Sequence, residues 1–92
     1  MGTNDIITLV WPIDEETEEK TEVFAEVGSV GQSEFFAAAQ NGMKAQYQFK
    51  VWPDEYNNQP YVEYSGRRYS IYRTYEPPGQ KVELYAGSKI GV

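Results

Sequence analysis

Residues 61–85 read YVEYSGRRYSIYRTYEPPGQKVELY, and this stretch decides the fold. Aromatic and β-branched residues alternate with polar ones on both sides of two turn signals, the pattern of half-buried strands, so three antiparallel strands are expected here. Ser65-Gly66 suits a two-residue turn, because glycine takes positive φ at little cost and loops of that length match the twist of the flanking strands. Pairing Tyr64 with Arg67 then sets Val62 across from Tyr69 and Glu63 across from Arg68. An apolar pair falls on one face and an opposite-charge pair on the other. A second turn at Pro77-Pro78-Gly79-Gln80 pairs Tyr75 with Val82, Thr74 with Glu83, Arg73 with Leu84 and Tyr72 with Tyr85. Val62, Tyr69, Ile71, Tyr75, Val82 and Leu84 share the core face under that register. The opposite face, carrying Glu63, Arg68, Ser70, Tyr72, Thr74 and Glu83, is wetter or is covered by a partner.

Three further strands are expected upstream. Residues 6–11 form a short apolar run stopped by Pro12. Residues 21–27 place Val23, Ala25 and Val27 on one side and leave Phe24 on the other, also wanting cover. Residues 44–52 alternate most cleanly, with Ala45, Tyr47, Phe49 and Val51 facing one way and Gln46, Gln48, Lys50 and Trp52 the other. Between the second and third strands, Ser33 suits an N-cap, Glu34 the first turn of a helix, and Gly42 a left-handed C-terminal cap. So short a helix does not hold alone, so Phe35 and Phe36 must bury against something. Adjacent aromatics point in different directions: either at least one of them meets a neighbouring chain, or both belong to the intramolecular core. Residues 1–5 and 87–92 are expected to be flexible, with the tail loose from Ala86. The expectation is a mainly β chain, a small antiparallel β-barrel of about six short strands with one short helix inserted between strands 2 and 3. Residues 1–92 form a single domain, of radius of gyration roughly 12 Å.

Composition excludes most chemistry. The chain has no Cys and no His, which removes disulfides, Cys/His zinc sites, thiol nucleophiles and histidine acid–base catalysis. Phosphate-binding loops and nucleophile elbows are absent from the sequence, so neither an enzyme nor a cofactor is expected. A net charge of -6 works against binding a polyanion through counterion release. No stretch approaches the ~20 apolar residues of a membrane span, and the N-terminus lacks a signal-peptide pattern, so a cytosolic product with no membrane partner is expected. The run DEETEE, residues 14–19, concentrates carboxylates at Asp14, Glu15, Glu16, Glu18 and Glu19. It is expected as a solvated connection kept extended by repulsion, with a strand interior improbable. The competing function is a negative patch facing a partner or DNA; the metal case is weak without an EF-hand ladder.

Arg67, Arg68 and Arg73 among tyrosines could mimic an aromatic-plus-basic nucleic-acid surface, as on an OB-fold. Against that, Arg68 faces Glu63 and the net charge is acidic. Trp52, Tyr72 and Tyr85 read as contact residues or as polar core, since exposed Tyr and Trp serve protein interfaces.

The segments EYSGRRYSIYRTYE, VELY and VFAEVGSVGQSEFFAAAQNGMKA together resemble the head-tail connector, or head-closure (stopper), proteins of tailed bacteriophages and prophages. The resemblance spans roughly residues 6–85 and rests on ordered patterns rather than a catalytic signature. Related sequences often carry Asn-Gly where this chain has Ser65-Gly66. The resemblance implies a small β-barrel that assembles as a ring of identical copies beneath the portal and adaptor. The ring retains packaged DNA, which passes without sequence-specific binding, and offers tail proteins a docking platform at the virion head-tail junction. Ser33, Glu34, Phe35 and Phe36 match the family's helical insert, placed at a ring contact or towards the channel. Tyr69, Ile71, Tyr72, Arg73, Thr74 and Tyr75 match its central strand. The subunit or neighbour interface is accordingly expected at Phe35, Phe36, Trp52, Tyr72 and Tyr85. A channel-facing or docking loop is expected at Asp14, Glu15, Glu16, Glu18 and Glu19. The alternative is a small OB- or SH3-like barrel that binds nucleic acid or a protein partner.

Overall fold

A computed structural model describes residues 3–90; residues 1, 2, 91 and 92, part of the two segments expected to be flexible, lie outside the described residues. The elements run β1 (Thr3–Pro12), β2 (Glu18–Gly28), α1 (Gln32–Gln40), β3 (Met43–Val51), one 3-10 turn (Pro53–Glu55), β4 (Tyr61–Tyr64), β5 (Arg67–Tyr75) and β6 (Val82–Lys89). Every neighbouring pair is antiparallel, and the order β1-β2-β3-β6-β5-β4 closes when β4 pairs with β1 through Thr8, Leu9 and Val10. The fold is thus mainly β, with six strands and one short helix between the second and third. Its radius of gyration is 12.8 Å.

Period-two alternation fills the interior. Val23, Ala25 and Val27 of β2 point inwards with Ile7 and Leu9, Phe49 and Val51, Val62, Val82, Leu84 and Ala86. Tyr47, Tyr64 and Tyr69 lie at the margin of this core, with Tyr47 meeting Tyr64 and Tyr69 edge-on at centroid distances of 5.1 and 5.4 Å. A tyrosine suits that margin because its ring can be buried while its hydroxyl stays near water. From the β3–β4 connection Tyr56 packs against the same core and donates its hydroxyl to the Gln59 carbonyl at 3.0 Å. The buried Gln59 side chain accepts the Asn57 amide at 2.7 Å, so the segment satisfies its own polar groups.

The Ser65-Gly66 turn holds the expected register, with Val62 opposite Tyr69 and Glu63 opposite Arg68. Both turn residues have positive φ, 54° and 80°. Such a pair matches the primed turns that two-residue hairpins prefer. The β5–β6 register follows expectation only in part. Ser70 and Ile71 pair with Gly87 and Ala86, but Tyr72 is an extra residue in β5, after which Arg73 meets Tyr85, Thr74 meets Leu84 and Tyr75 meets Glu83. A bulge reverses inside and outside along a strand. Tyr75 therefore leaves the core face and is exposed.

A second bulge, at Gln46 in β3, has the same effect on Ala45, which was expected to face the way of Tyr47. Ala45 instead joins Met43 and Ala38 in a small apolar cluster beneath α1, against which Val30 and Tyr72 pack. Both bulges flank β6, and Gly87 sits between them: a Cβ there would lie 2.1 Å from the Lys44 carbonyl oxygen. Only glycine permits so close an approach.

Several boundaries also move. Thr3, Asn4 and Asp5, expected to be loose, pair with Val27, Glu26 and Ala25 of the long β2. Ala86, Gly87, Ser88 and Lys89 are strand rather than tail, held by Tyr47, Ala45, Lys44 and Met43. Ser33 is not the helix cap; Gly31 occupies that position with extended backbone and its carbonyl accepts the Phe35 amide at 3.0 Å. Gly42 closes the helix with φ +77°, as expected. Glu18 and Glu19 belong to β2, opposite Pro12 and Trp11. The acidic connection shrinks to residues 13–17 and is folded tight, because Asp14 Oδ1 accepts the Glu16 amide, the Thr17 amide and the Thr17 hydroxyl at 2.8, 2.8 and 2.6 Å. Local hydrogen bonding of an aspartate to its own backbone overrides the repulsion expected to extend it.

Candidate functional site

Three surfaces carry the side chains that the barrel leaves unsatisfied. The first is the shelf formed by α1. Glu34, in its first turn, accepts the Tyr72 hydroxyl at 2.8 Å and a guanidinium N–H of Arg73, which ties the helix to β5. Arg73 stacks its guanidinium 4.0 Å from the Tyr85 ring centroid, and the Tyr85 hydroxyl donates to Glu83 at 2.5 Å while accepting from Gln48 at 3.1 Å. Burial works to raise the Glu34 carboxyl, but the hydrogen bonds from Arg73 and Tyr72 outweigh it and hold the group below its ordinary value. Burial and the same carboxylate push the Tyr72 hydroxyl up, so Tyr72 remains a neutral donor. Tyr72 and Tyr85, expected as contact residues, are thus half-buried and matched within the chain. Phe35 and Phe36 stand outside this network, 6.1 Å apart edge to face, with Phe36 56% exposed. They are not core.

An open cleft of about 430 Å³ lies between α1 and the wall, lined by Glu34, Ala38, Asn41, Met43, Tyr72 and Arg73 among others. Its charged groups, Glu34 and Arg73, neutralise each other, so it offers no free acid or base. Among the described residues no three His, Cys, Asp or Glu side chains converge to hold a metal ion.

The second surface is an apolar ridge on the outside of β1 and β2. Ile6 and Phe24 are opposite each other in register and both point away from the core, Phe24 being 72% exposed. Trp52, expected as a contact residue, is also exposed just past the end of β3, with Lys81 Nζ 5.0 Å from its ring centroid and paired with Glu26 at 3.3 Å. Phe24 betrayed itself in the sequence as a large apolar residue on the polar side of an alternating strand. Ile6 did not, since it sits in an unbroken apolar run that hides which face it takes.

The third surface is the β1–β2 hairpin with its acidic tip. Arg68 grips Glu18 with both terminal nitrogens at 2.6 and 2.8 Å and reaches Glu63 at 2.8 Å, while Lys20 adds a 3.3 Å contact to Glu63. Hydrogen bonds from Arg68 are the main reason both carboxyls stay below their ordinary values. This clasp draws the base of the hairpin against β4 and β5. Val10, which alternation places on the outer face, is nonetheless 0% exposed, flanked in register by Lys20 and Tyr61. Of the five expected tip residues, Glu18 is consumed in the clasp, while Asp14, Glu15, Glu16 and Glu19 remain exposed. The Thr17 hydroxyl, then the Glu16 and Thr17 amides, keep Asp14 ionised to lower pH than usual.

The arginines expected to compete for nucleic acid are largely committed: Arg68 to Glu18 and Glu63, Arg73 to Glu34. Among the described residues Arg67 forms no salt bridge. No helix of the described residues is long and apolar enough to cross a membrane. No protein-family model matches this chain, and a search of curated proteins returns no match.

Proposed function

We infer that this chain is a structural subunit of the head-tail connector of a tailed bacteriophage or prophage. Copies of it form a ring below the portal and adaptor, close the DNA channel and present the attachment surface for the tail. The observation that carries this reading is the set of large apolar side chains exposed on the barrel's exterior, among them Phe35/Phe36, Ile6/Phe24 and Trp11/Ile13, beside the acidic residues of the hairpin tip. Patches of that kind on a chain without His or Cys suit assembly rather than turnover. The resemblance of residues 6–85 to head-closure proteins supports the same conclusion. An acidic tip facing the channel would repel DNA, which lets the polymer slide instead of sticking.

Particles assembled without this protein test the reading. Electron microscopy should then show DNA-filled heads that leak their genome or fail to join tails. Normal tailed particles in its absence would refute it. The alternative, an OB- or SH3-like nucleic-acid binder, requires free cations beside aromatic faces, whereas Arg68 and Arg73 are already neutralised. A salt titration against single- and double-stranded DNA separates the two, since a true binding groove gives measurable affinity at low salt with a steep slope.

A further inference from the structure

We propose that neighbouring copies meet head to tail, with the Phe35/Phe36 shelf of one subunit seated on the Ile6/Phe24 ridge of the next. The proposal rests on the ring reading above and specifies which surfaces of the ring touch. Three observations carry it.

Of the exposed apolar pairs, Phe35/Phe36 and Ile6/Phe24 occupy opposite flanks, while Trp11/Ile13 lie at the hairpin tip. In the circuit β1-β2-β3-β6-β5-β4, the ridge belongs to β1 and β2, whereas α1 packs over Met43 and Ala45 of β3 and Tyr72 of β5, a span centred on β6. A subunit with one patch on each flank joins two neighbours through different surfaces. That is a heterologous interface, which generates a ring when its rotation closes. Two patches on the same flank would favour an isologous dimer instead.

The flanks also differ in charge. Lys89 is exposed at the end of β6, opposite Met43 in register and so on the face α1 covers, and among the described residues it forms no salt bridge. The shelf's own acid, Glu34, is neutralised by Arg73. On the ridge, Glu22 and Glu55 border Ile6 and Phe24 around an open depression of about 250 Å³, and neither has an ion-pair partner among the described residues. The shelf flank thus carries the cation Lys89, and the ridge carries the anions Glu22 and Glu55, with Arg67 lining a neighbouring depression beside Ile6 and Glu22. A second copy of this chain supplies an aromatic pair for the ridge and a cation for Glu55, the acid farther from Arg67.

The shelf, finally, is rigid enough to serve as a knob. Glu34 fixes the helix to β5 through Tyr72 and Arg73, and the Ile90 amide donates to the Gly42 carbonyl at 2.8 Å just beyond the helix. Phe35 and Phe36 are held on a braced element and need little ordering on contact.

Sedimentation of the full chain up to about millimolar concentration tests the contact, using Phe24→Asp and Phe36→Asp, two exposed positions. Circular dichroism first establishes that both variants fold as the wild type does. The wild type should associate beyond a dimer, several-fold more weakly at about 500 mM salt than at about 50 mM. Each variant alone should remain monomeric, because one of its flanks is blocked. An equimolar mixture should form a 1:1 dimer and stop there, since the intact shelf of one variant fits the intact ridge of the other. Association of either variant alone, or no dimer in the mixture, overturns the head-to-tail contact while leaving the ring reading to the particle experiment. A wild type that stays monomeric throughout also overturns the contact. Because the chain contains no Cys, a mixture of Glu22→Cys and Ala39→Cys provides a second readout. Oxidation should yield the mixed disulfide well above either homodimer, and equal yields would count against the proposal.

Discussion

Gly87 shows how one residue can hold two strands at their required distance. Its missing Cβ admits the Lys44 carbonyl, two residues before the Gln46 bulge. In Gly87→Ala the new methyl meets backbone rather than a flexible side chain, so β3 or β6 must shift. Overpacking of this kind should cost about 3 kcal/mol, read as a lower urea midpoint at unchanged slope. Glu34 acts at the same scale through charge. Its folded-state carboxyl lies below the ordinary 4.5, so the ionised form stabilises the fold; that contribution is complete above 4.5 and disappears as pH falls through the lower folded value. Amide exchange in residues 35–40 should accelerate below pH 4.5 in the wild type. Glu34→Gln should show faster exchange already at pH 7 and a smaller further change on acidification. A variant that retains the full acid response would mean that another group anchors α1.

Among the elements, the β1–β2 hairpin shows why an ion cluster need not act mainly through charge. Arg68 is exposed enough for water and salt to screen its pairs with Glu18 and Glu63, which keeps their electrostatic value small. The Arg68 guanidinium also lies 5.7 Å from the ring centroid of Tyr61, the register partner of buried Val10, so its stem is expected to contribute apolar cover there beyond its charge. Arg68→Met, which keeps the stem, should therefore cost less than about 1 kcal/mol. Arg68→Ala should cost at least twice as much, measured by thermal unfolding. Equal losses would return the effect to the charges.

The same elements mark how far the sequence could be read. The Ser65-Gly66 hairpin was legible because register follows from the turn, and Val23, Ala25, Val27, Phe49 and Val51 were legible because alternation alone assigns their face. The bulges at Tyr72 and Gln46 were not, since an extra residue leaves period-two alternation intact on either side and shows only in its partner strand. Misplacing them moved Tyr75 and Ala45 to the wrong face. The surfaces divided along similar lines. Phe35, Phe36 and Trp52 stand exposed, whereas the half-buried setting of Tyr72 and Tyr85 was not legible, because the bonds of Glu34 to Tyr72 and of Glu83 and Gln48 to Tyr85 leave no local sequence signal.

At the scale of the whole molecule, the distribution of charge sets how the proposed ring would meet DNA. The net charge is -6, and Glu15, Glu16 and Glu19 lie exposed around the hairpin tip, clear of the Arg68 clasp. Their repulsion of phosphate extends about one Debye length, roughly 10 Å at 0.1 M salt, so a ring of such tips would keep a passing duplex off the wall. The three Glu→Lys reversals together cancel the net charge and convert the tip into a cationic loop. The Asp14 turn should persist, because its acceptors and donors are Asp14, the Glu16 backbone and Thr17, none of which loses an atom. Wild-type protein should show no retardation of double-stranded DNA at about 50 mM salt. The triple variant should bind there and release by about 200 mM, with a log–log salt slope near -3 for three phosphate contacts. In particles, the same substitutions should leave connectors assembled, since neither the shelf nor the ridge is altered, but should slow genome release. Wild-type DNA binding at low salt, or a triple variant that ejects its genome at the normal rate, would remove the acidic tip from the channel.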